Sequence, residues 1–163
     1  MNDDLALSIA LRIIKAFEGC RLVAYRDTVG VWTIGWGQTG PDIREGTIWS
    51  QQHADARLAQ SVAMTFAAVK KTWPGADRLH PKAQAALISL AYNRGTSLTK
   101  KASDPLDRRR EMRELQPAVV TKDYTRMAAL IRSMKRLWEG TGQDGLLHRR
   151  DAEADLCEEA GRA

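Results

Sequence analysis

Cysteine is scarce. The chain has two, Cys20 and Cys157, in 163 residues. Two thiols cannot build a disulfide scaffold, and no paired Cys/His spacing reads as a zinc site. The three histidines, His53, His80 and His148, share no motif. No run of 18 apolar residues exists, so no segment reads as a transmembrane helix. The chain opens Met1-Asn2-Asp3-Asp4, and no signal-type cleavage site follows its apolar stretch. Low-complexity segments and internal repeats are missing too. What is left is the expectation of a soluble globular domain without a metal-ligand motif.

Basic charge is plentiful but uneven. The net charge is +5. Residues 1–50 carry −1, residues 51–100 and 101–150 carry +5 each, and residues 151–163 carry −4. A basic second half favours a polyanionic partner: nucleic acid, an anionic wall or anionic lipid head groups. The plain alternative is a solvated, mildly basic surface. No helix-turn-helix or single-strand-binding signature backs nucleic acid, and the arginines are interleaved with acids, so no nucleic-acid partner is expected.

Apolar periodicity gives the organisation. Residues 5–18 read as a helix with a narrow polar stripe of Ser8, Arg12 and Lys15, so most of it should be buried. Residues 21–40 alternate β-formers with glycines at 30, 35, 37 and 40, the pattern of a small antiparallel sheet turning at Asp27-Thr28-Val29-Gly30. Ser50 can cap a long helix over 51–71 with Ala54, Leu58, Val62, Phe66 and Val69 on one face. Pro81, with His80 before it, opens another through Asn93. A charged helix should open at Asp104-Pro105 and run to about Gln116. Residues 122–137 and about 146–158 complete the set. The fold class is α+β: a sheet lobe over about 19–50, a linking helix over about 51–71, and a helical lobe over about 72–163 joined by the amino-terminal helix. A cleft should lie between the lobes.

Leu7, Leu11 and Ile14 form one apolar row, and its next step is Glu18. Partial desolvation of that carboxyl would raise its pKa, as a general acid requires. The alternative is a helix-end glutamate turned to water. Asp27 lies nine residues on, in a turn that commonly takes aspartate, and Thr33 six further, in a strand. Together they offer an acid, a base and a hydroxyl around a helix end and a hairpin. Two carboxylates across a cleft suit glycoside hydrolysis.

The stretch Phe17-Glu18-Gly19, then Asp27-Thr28, then Thr33-Ile34-Gly35-Trp36-Gly37, resembles the catalytic signature of the phage-type lysozymes, glycoside hydrolase family 24. Downstream, Ala91-Tyr92-Asn93-Arg94-Gly95 resembles a segment near that family's cleft. Gly145-Leu146-Leu147-His148-Arg149-Arg150-Asp151-Ala152-Glu153 resembles its last helix. The likeness spans roughly 10–157. Gln38 departs from it, standing where many relatives carry histidine. The region 96–123 matches nothing in the family pattern.

The resemblance implies cleavage of the β-1,4 bond between N-acetylmuramic acid and N-acetylglucosamine in peptidoglycan, for host lysis. Glu18 would protonate the leaving oxygen, Asp27 would stay ionised and activate water, and Thr33 would hydrogen-bond that water. An inverting course would set the carboxyl groups roughly 6.5–9.5 Å apart. Trp36, Gln38 and Asn93 are the expected substrate-binding residues. A monomer is implied, made in the host cytoplasm and reaching the wall by holin-dependent release, since no signal-anchor length is present. A lytic transglycosylase is the competing enzyme.

Arg149 or Arg150 could approach Glu18 from the last helix and oppose its desolvation; the alternative for each is an exposed surface arginine. Trp32, Trp49, Trp73 and Trp138 are read as packing residues. Cys20 and Cys157 could pair after export or remain idle thiols. Tyr124–Leu137, with Arg126, Arg132, Lys135 and Arg136 beside apolar residues, could touch an anionic outer membrane or be an ordinary amphipathic core helix.

Overall fold

A computed structural model of the protein describes residues 2–163. Helix α1 (Asn2–Phe17) has Asp3 and Asp4 in its first turn and Lys15 in its last, matched to the helix dipole. Only Ala6, Ala10 and Ile14 on it are buried, and Leu5 is 50% exposed. The expected burial of most of the helix therefore fails. The reason is close packing through small residues: α1 meets α3 (Pro81–Arg94) along its alanines, and the bulkier Leu7, Ile9, Leu11 and Ile13 flank the contact half-buried.

Strands β1 (Arg21–Arg26) and β2 (Trp32–Gly35) make the antiparallel hairpin, pairing Arg21 with Gly35, Tyr25 with Thr33 and Arg26 with Trp32. Two strands are too few to bury a face alone. Bridges Val23–Ile48 and Ile34–Gln38 extend the pairing, and Ile34, Ile43, Trp49 and Ala54 form a small core beneath it.

Helix α2 (Gln51–Thr72) starts at Ser50, whose Oγ accepts from the His53 amide at 3.0 Å. Its expected face is buried. Trp73 closes it, fully buried, and donates its indole N–H to the Met112 carbonyl at 2.8 Å. Helix α3 follows the His80 cap and is buried on nearly every side, which makes it the axis of the main core. Helices α4 (Arg110–Val120), α5 (Tyr124–Ser133) and α6 (Asp144–Arg162) follow, with a 3-10 turn over Met134–Leu137 after α5; α6 packs on both α3 and α5, and α4 packs on α5.

One expectation is corrected here and one alternative is decided. The charged helix begins at Arg110, not Asp104, and runs to Val120. Asp104 caps a turn instead: its carboxylate accepts from the Leu106 and Arg108 amides, and Asp107 takes a left-handed φ of 45°, which a helix cannot contain. In Tyr124–Leu137, Met127, Leu130, Ile131, Met134 and Leu137 all lie in the core. Its apolar side is spent on packing, so the segment is an amphipathic core helix. Among the described residues no helix is long and apolar enough to cross a membrane.

Candidate active site

Glu18 follows α1 directly. Its amide still bonds to the Ile14 carbonyl at 2.8 Å, so the last turn fixes where the side chain emerges. The carboxylate is 26% exposed and accepts from Arg149 Nη1 through Oε1 at 2.7 Å. The glycines of the Gly35-Trp36-Gly37 turn are favoured by their left-handed backbone and, at Gly35, also by what surrounds it. Gly35 has φ 65°, and a Cβ there would stand 2.6 Å from Gln38 Oε1; Gly37 has φ 87°, and its Cβ would lie 3.4 Å from Glu18 Oε2.

A cavity of about 450 Å³ is lined by Glu18, Gln38, Tyr92 and Asn93, with Arg57 and Ser61 of α2 on its far side. A second cavity of about 330 Å³ shares Glu18 and Asn93 and adds Gln143, Leu146 and Arg149. Glu18 thus sits where two stretches of one cleft meet.

Asp27 and Thr33 stand together on the hairpin, joined through Val31. The Val31 amide donates to Asp27 Oδ1 at 2.8 Å, and Thr33 Oγ1 donates to the Val31 carbonyl at 3.0 Å. The Val29 amide also donates to Asp27 Oδ1, at 3.0 Å. Thr33 is 4% exposed, and the Asp27 side chain keeps Oδ2 unbonded among the described residues. β1 separates this pair from Glu18, and no hydrogen bond joins Glu18 to either residue among those described.

Gln38 and Tyr92 close a ring with the Trp36 backbone. Gln38 Oε1 accepts from the Trp36 amide at 2.8 Å, Gln38 Nε2 donates to Tyr92 Oη at 3.2 Å, and Tyr92 Oη donates to the Trp36 carbonyl at 2.8 Å. Burial, and secondly the charge of Glu18, push the Tyr92 phenol up to about 12 against the pull of Arg149, so it stays a donor. The Gln38 amide is therefore engaged at both ends inside the protein. Trp36 packs against both cores and donates its indole N–H to Asp55 at 2.8 Å; that bond holds the Asp55 carboxyl below its ordinary range. Asn93 Oδ1 accepts from Arg150 at 3.0 Å, and its Nδ2 has no partner among the described residues.

Behind Glu18 lies a buried charge cluster. Arg149 and Arg150 are 2% and 0% exposed, which overturns the surface reading for both, and Arg149 is the one that reaches Glu18. Arg149 Nη2 also donates to the Ser89 carbonyl at 3.2 Å, and Arg150 Nη2 to Glu153 Oε1 at 2.8 Å. Arg150 Nε lies 2.7 Å from Glu153 Oε2 but off the hydrogen-bond direction. Ser89 Oγ donates to Glu153 Oε1 at 2.7 Å. Burial pulls the Arg150 guanidinium down, and Glu153 opposes it. Two guanidiniums against Glu18 and Glu153 leave the cluster neutral. The i,i+3 and i,i+4 spacing of Arg150 and Arg149 to Glu153 is readable in sequence; nothing in the pattern marks Ser89. The cysteines are apart and free: Cys157 is in the core, its thiol pushed up to about 12 by burial, while Cys20 lies against Gln51.

The family model for phage lysozyme matches residues 15–153. The chain belongs to the phage lysozyme family. An endolysin of Lactococcus phage c2 is 38% identical over 87 residues, 52% of this chain and 37% of that protein. A SAR-endolysin of Enterobacteria phage P21 is 36% identical over 78 residues, 48% of this chain and 46% of the relative. The matches thus span less than half the length of these relatives. Among solved structures, the muramidase domain of SpmX from Asticaccaulis excentricus superposes with a TM-score of 0.66 at 26% identity, over 91% of this chain and 93% of that one. The active form of P1 phage endolysin Lyz gives a TM-score of 0.74 at 21% identity, over 95% and 85%, and shares the fold. The α+β lysozyme-like architecture is therefore that of the phage lysozyme family.

Proposed function

We propose that this protein is a muramidase that hydrolyses the β-1,4 bond between N-acetylmuramic acid and N-acetylglucosamine in bacterial peptidoglycan, for host-cell lysis. The observation that carries it is Glu18: a carboxyl group at the junction of two cavities, oriented by a buried guanidinium. The relatives named as endolysins, and the neighbour described as a muramidase domain, support the same reading.

Glu18 gives its proton to the leaving glycosidic oxygen as the bond breaks. Asp27 remains ionised and takes a proton from the attacking water, which Thr33 holds by a hydrogen bond. Attack from the face opposite the leaving group inverts the anomeric centre, as in glycosidases whose second carboxylate acts as a base. The rigid Asp27–Val31–Thr33 turn supports a base and a hydroxyl held in fixed relation. Asn93, with an amide N–H₂ free in the cleft, is the best-supported sugar contact; Gln38 and Trp36 serve the site by holding its floor. We further expect a monomer that reaches the wall after holin-dependent release. Outer-membrane contact has less support, because the apolar side of Tyr124–Leu137 is in the core.

The test is digestion of purified peptidoglycan with mass spectrometry of the released ends. Reducing N-acetylmuramic acid ends, lost in Glu18→Gln, are expected, with the freshly formed anomer inverted by NMR. Anhydro ends would mean a transglycosylase and would overturn the roles of Asp27 and Thr33.

A further inference from the structure

Basic side chains in this fold mostly find acids. Arg132 meets Asp155, Glu158 and Asp151; Lys135 meets Asp151; Arg136 meets Glu111; Arg113 meets Asp107. One cluster does not. The loop between α3 and α4, residues 95–109, folds over a cavity of about 510 Å³ lined by four cations, Arg94, Lys101, Arg108 and Arg109, and one acid, Asp104. Among the described residues, no carboxylate stands within ion-pair distance of Arg94, Lys101 or Arg109, and Arg108 Nε is 3.8 Å from Asp104. The other acids of this region, Asp107 and Glu111, are already taken by Arg113 and Arg136.

The cavity is built, though its walls carry no regular structure. Arg109 Nη1 donates to the Arg94 carbonyl at 2.8 Å, and Arg94 Nη2 donates to the Arg108 carbonyl at 2.5 Å. Arg113 ties the Leu98 carbonyl at 3.1 Å, and Arg136 ties those of Leu106 and Asp107 at 2.6 and 2.9 Å. Carbonyl oxygens fix these guanidiniums but do not neutralise them. Ser97, Thr99 and Ser103 add hydroxyls to the wall. Burial, then the charges of Arg109, Arg150 and Arg108, lower Arg94 to about 10, with Glu111 opposing.

We propose that this cavity is a binding site for phosphate groups of a flexible phosphodiester polymer, separate from the Glu18 cleft. Guanidiniums match the oxygens of a phosphate bidentately, and the hydroxyls can donate to the remaining ones. A concave pocket admits a single phosphate with its flanking carbons from a chain; a bilayer presents its head groups in a plane. Asn93 lines the cleft and Arg94, the next residue on α3, lines this cavity. A polymer held here would therefore keep the cleft close to the surface that carries it. The proposal does not rest on the muramidase reading, because its readout is binding.

The test is titration of the full chain with poly(glycerol phosphate) across a series of salt concentrations, followed by backbone NMR. The double variant Lys101→Gln/Arg108→Gln removes two cations that hold no carbonyl of the loop. The charge-matched control is Arg12→Gln/Lys71→Gln. We expect shifts confined to residues 94–109, affinity weakened about tenfold in the loop variant with a shallower salt dependence, and the control within about twofold of the parent. Equal weakening in both variants would reduce the effect to net charge and overturn the site. So would an absence of binding by the parent chain. Tighter binding to phosphatidylglycerol vesicles than to the polymer, lost in the loop variant, would overturn the polymer in favour of a membrane surface.

Discussion

Two arginine clusters sit at neighbouring places on this molecule and are handled in opposite ways. Behind the cleft, Arg149 and Arg150 are buried with Glu18 and Glu153, and the charges cancel. Across the loop of residues 95–109, Arg94 and Arg109 are held by carbonyl oxygens and keep their net charge. Burying a charge without a partner costs several kcal/mol, so the first cluster must be complete to exist. The second stays half in water and can wait for a partner. The lesson is that neutral clusters build the site, while charged ones are open to ligands.

The largest effect that would break this contrast is at Glu18. Glu18→Gln keeps an acceptor for Arg149 and should keep the fold, yet lose about 10²–10⁴-fold in peptidoglycan turnover, measured by release of reducing ends. Turnover near that of the parent would sink the general-acid role. Next is Glu153→Ala, which strips both guanidiniums of their buried carboxylate. It should cost about 3–5 kcal/mol in urea unfolding, far more than any exposed pair. A loss near that of Lys70–Asp3, about 0–1 kcal/mol, would mean the cluster is not a neutral unit.

Glu111 sharpens the comparison through pH. Burial is the largest single influence and raises its pKa, but the hydrogen bonds from Arg136, its own amide and Ser133, with the Arg136 charge, together outweigh it, and the carboxyl is held below its ordinary 4.5. The folded value is the lower one, so this stabilisation is present in full above 4.5 and is lost as pH falls through the folded value. Urea midpoints of the parent should therefore drop on acidification below about pH 4.5, and Glu111→Gln should flatten that limb. An unchanged acid limb would refute the assignment. The smallest effect is at Arg109→Gln, which removes one guanidinium–carbonyl bond and should cost about 1 kcal/mol by thermal unfolding. A loss as large as that at Glu153 would show that the open loop is a structural necessity.

Local pattern made much of this legible. The face Ala54-Leu58-Val62-Phe66-Val69, the Ser50 cap and the hairpin over Asp27 are all local signals, and each holds. The expectations that failed depend on distant partners. An arginine at 149 reads as a surface residue until a glutamate 131 positions away and a serine on α3 are brought to it. An apolar helix reads as buried until its alanines choose the contact line and leave Leu5 outside. Residues 104–109 look helical by composition, but Asp104 side-chain bonds and the left-handed Asp107 outcompete the helix.

The span between Glu18 and Arg149 also has a consequence in time. The chain is made from its amino terminus, and 131 positions separate the carboxylate from the guanidinium that orients it. At about 5–20 residues per second, roughly 7–26 s pass between their syntheses. Throughout that interval Glu18 lacks its partner, and the pocket wall from Gln143 to Arg149 does not yet exist. The nascent polypeptide therefore cannot carry an assembled site, and assembly awaits the last helix as it leaves the ribosome.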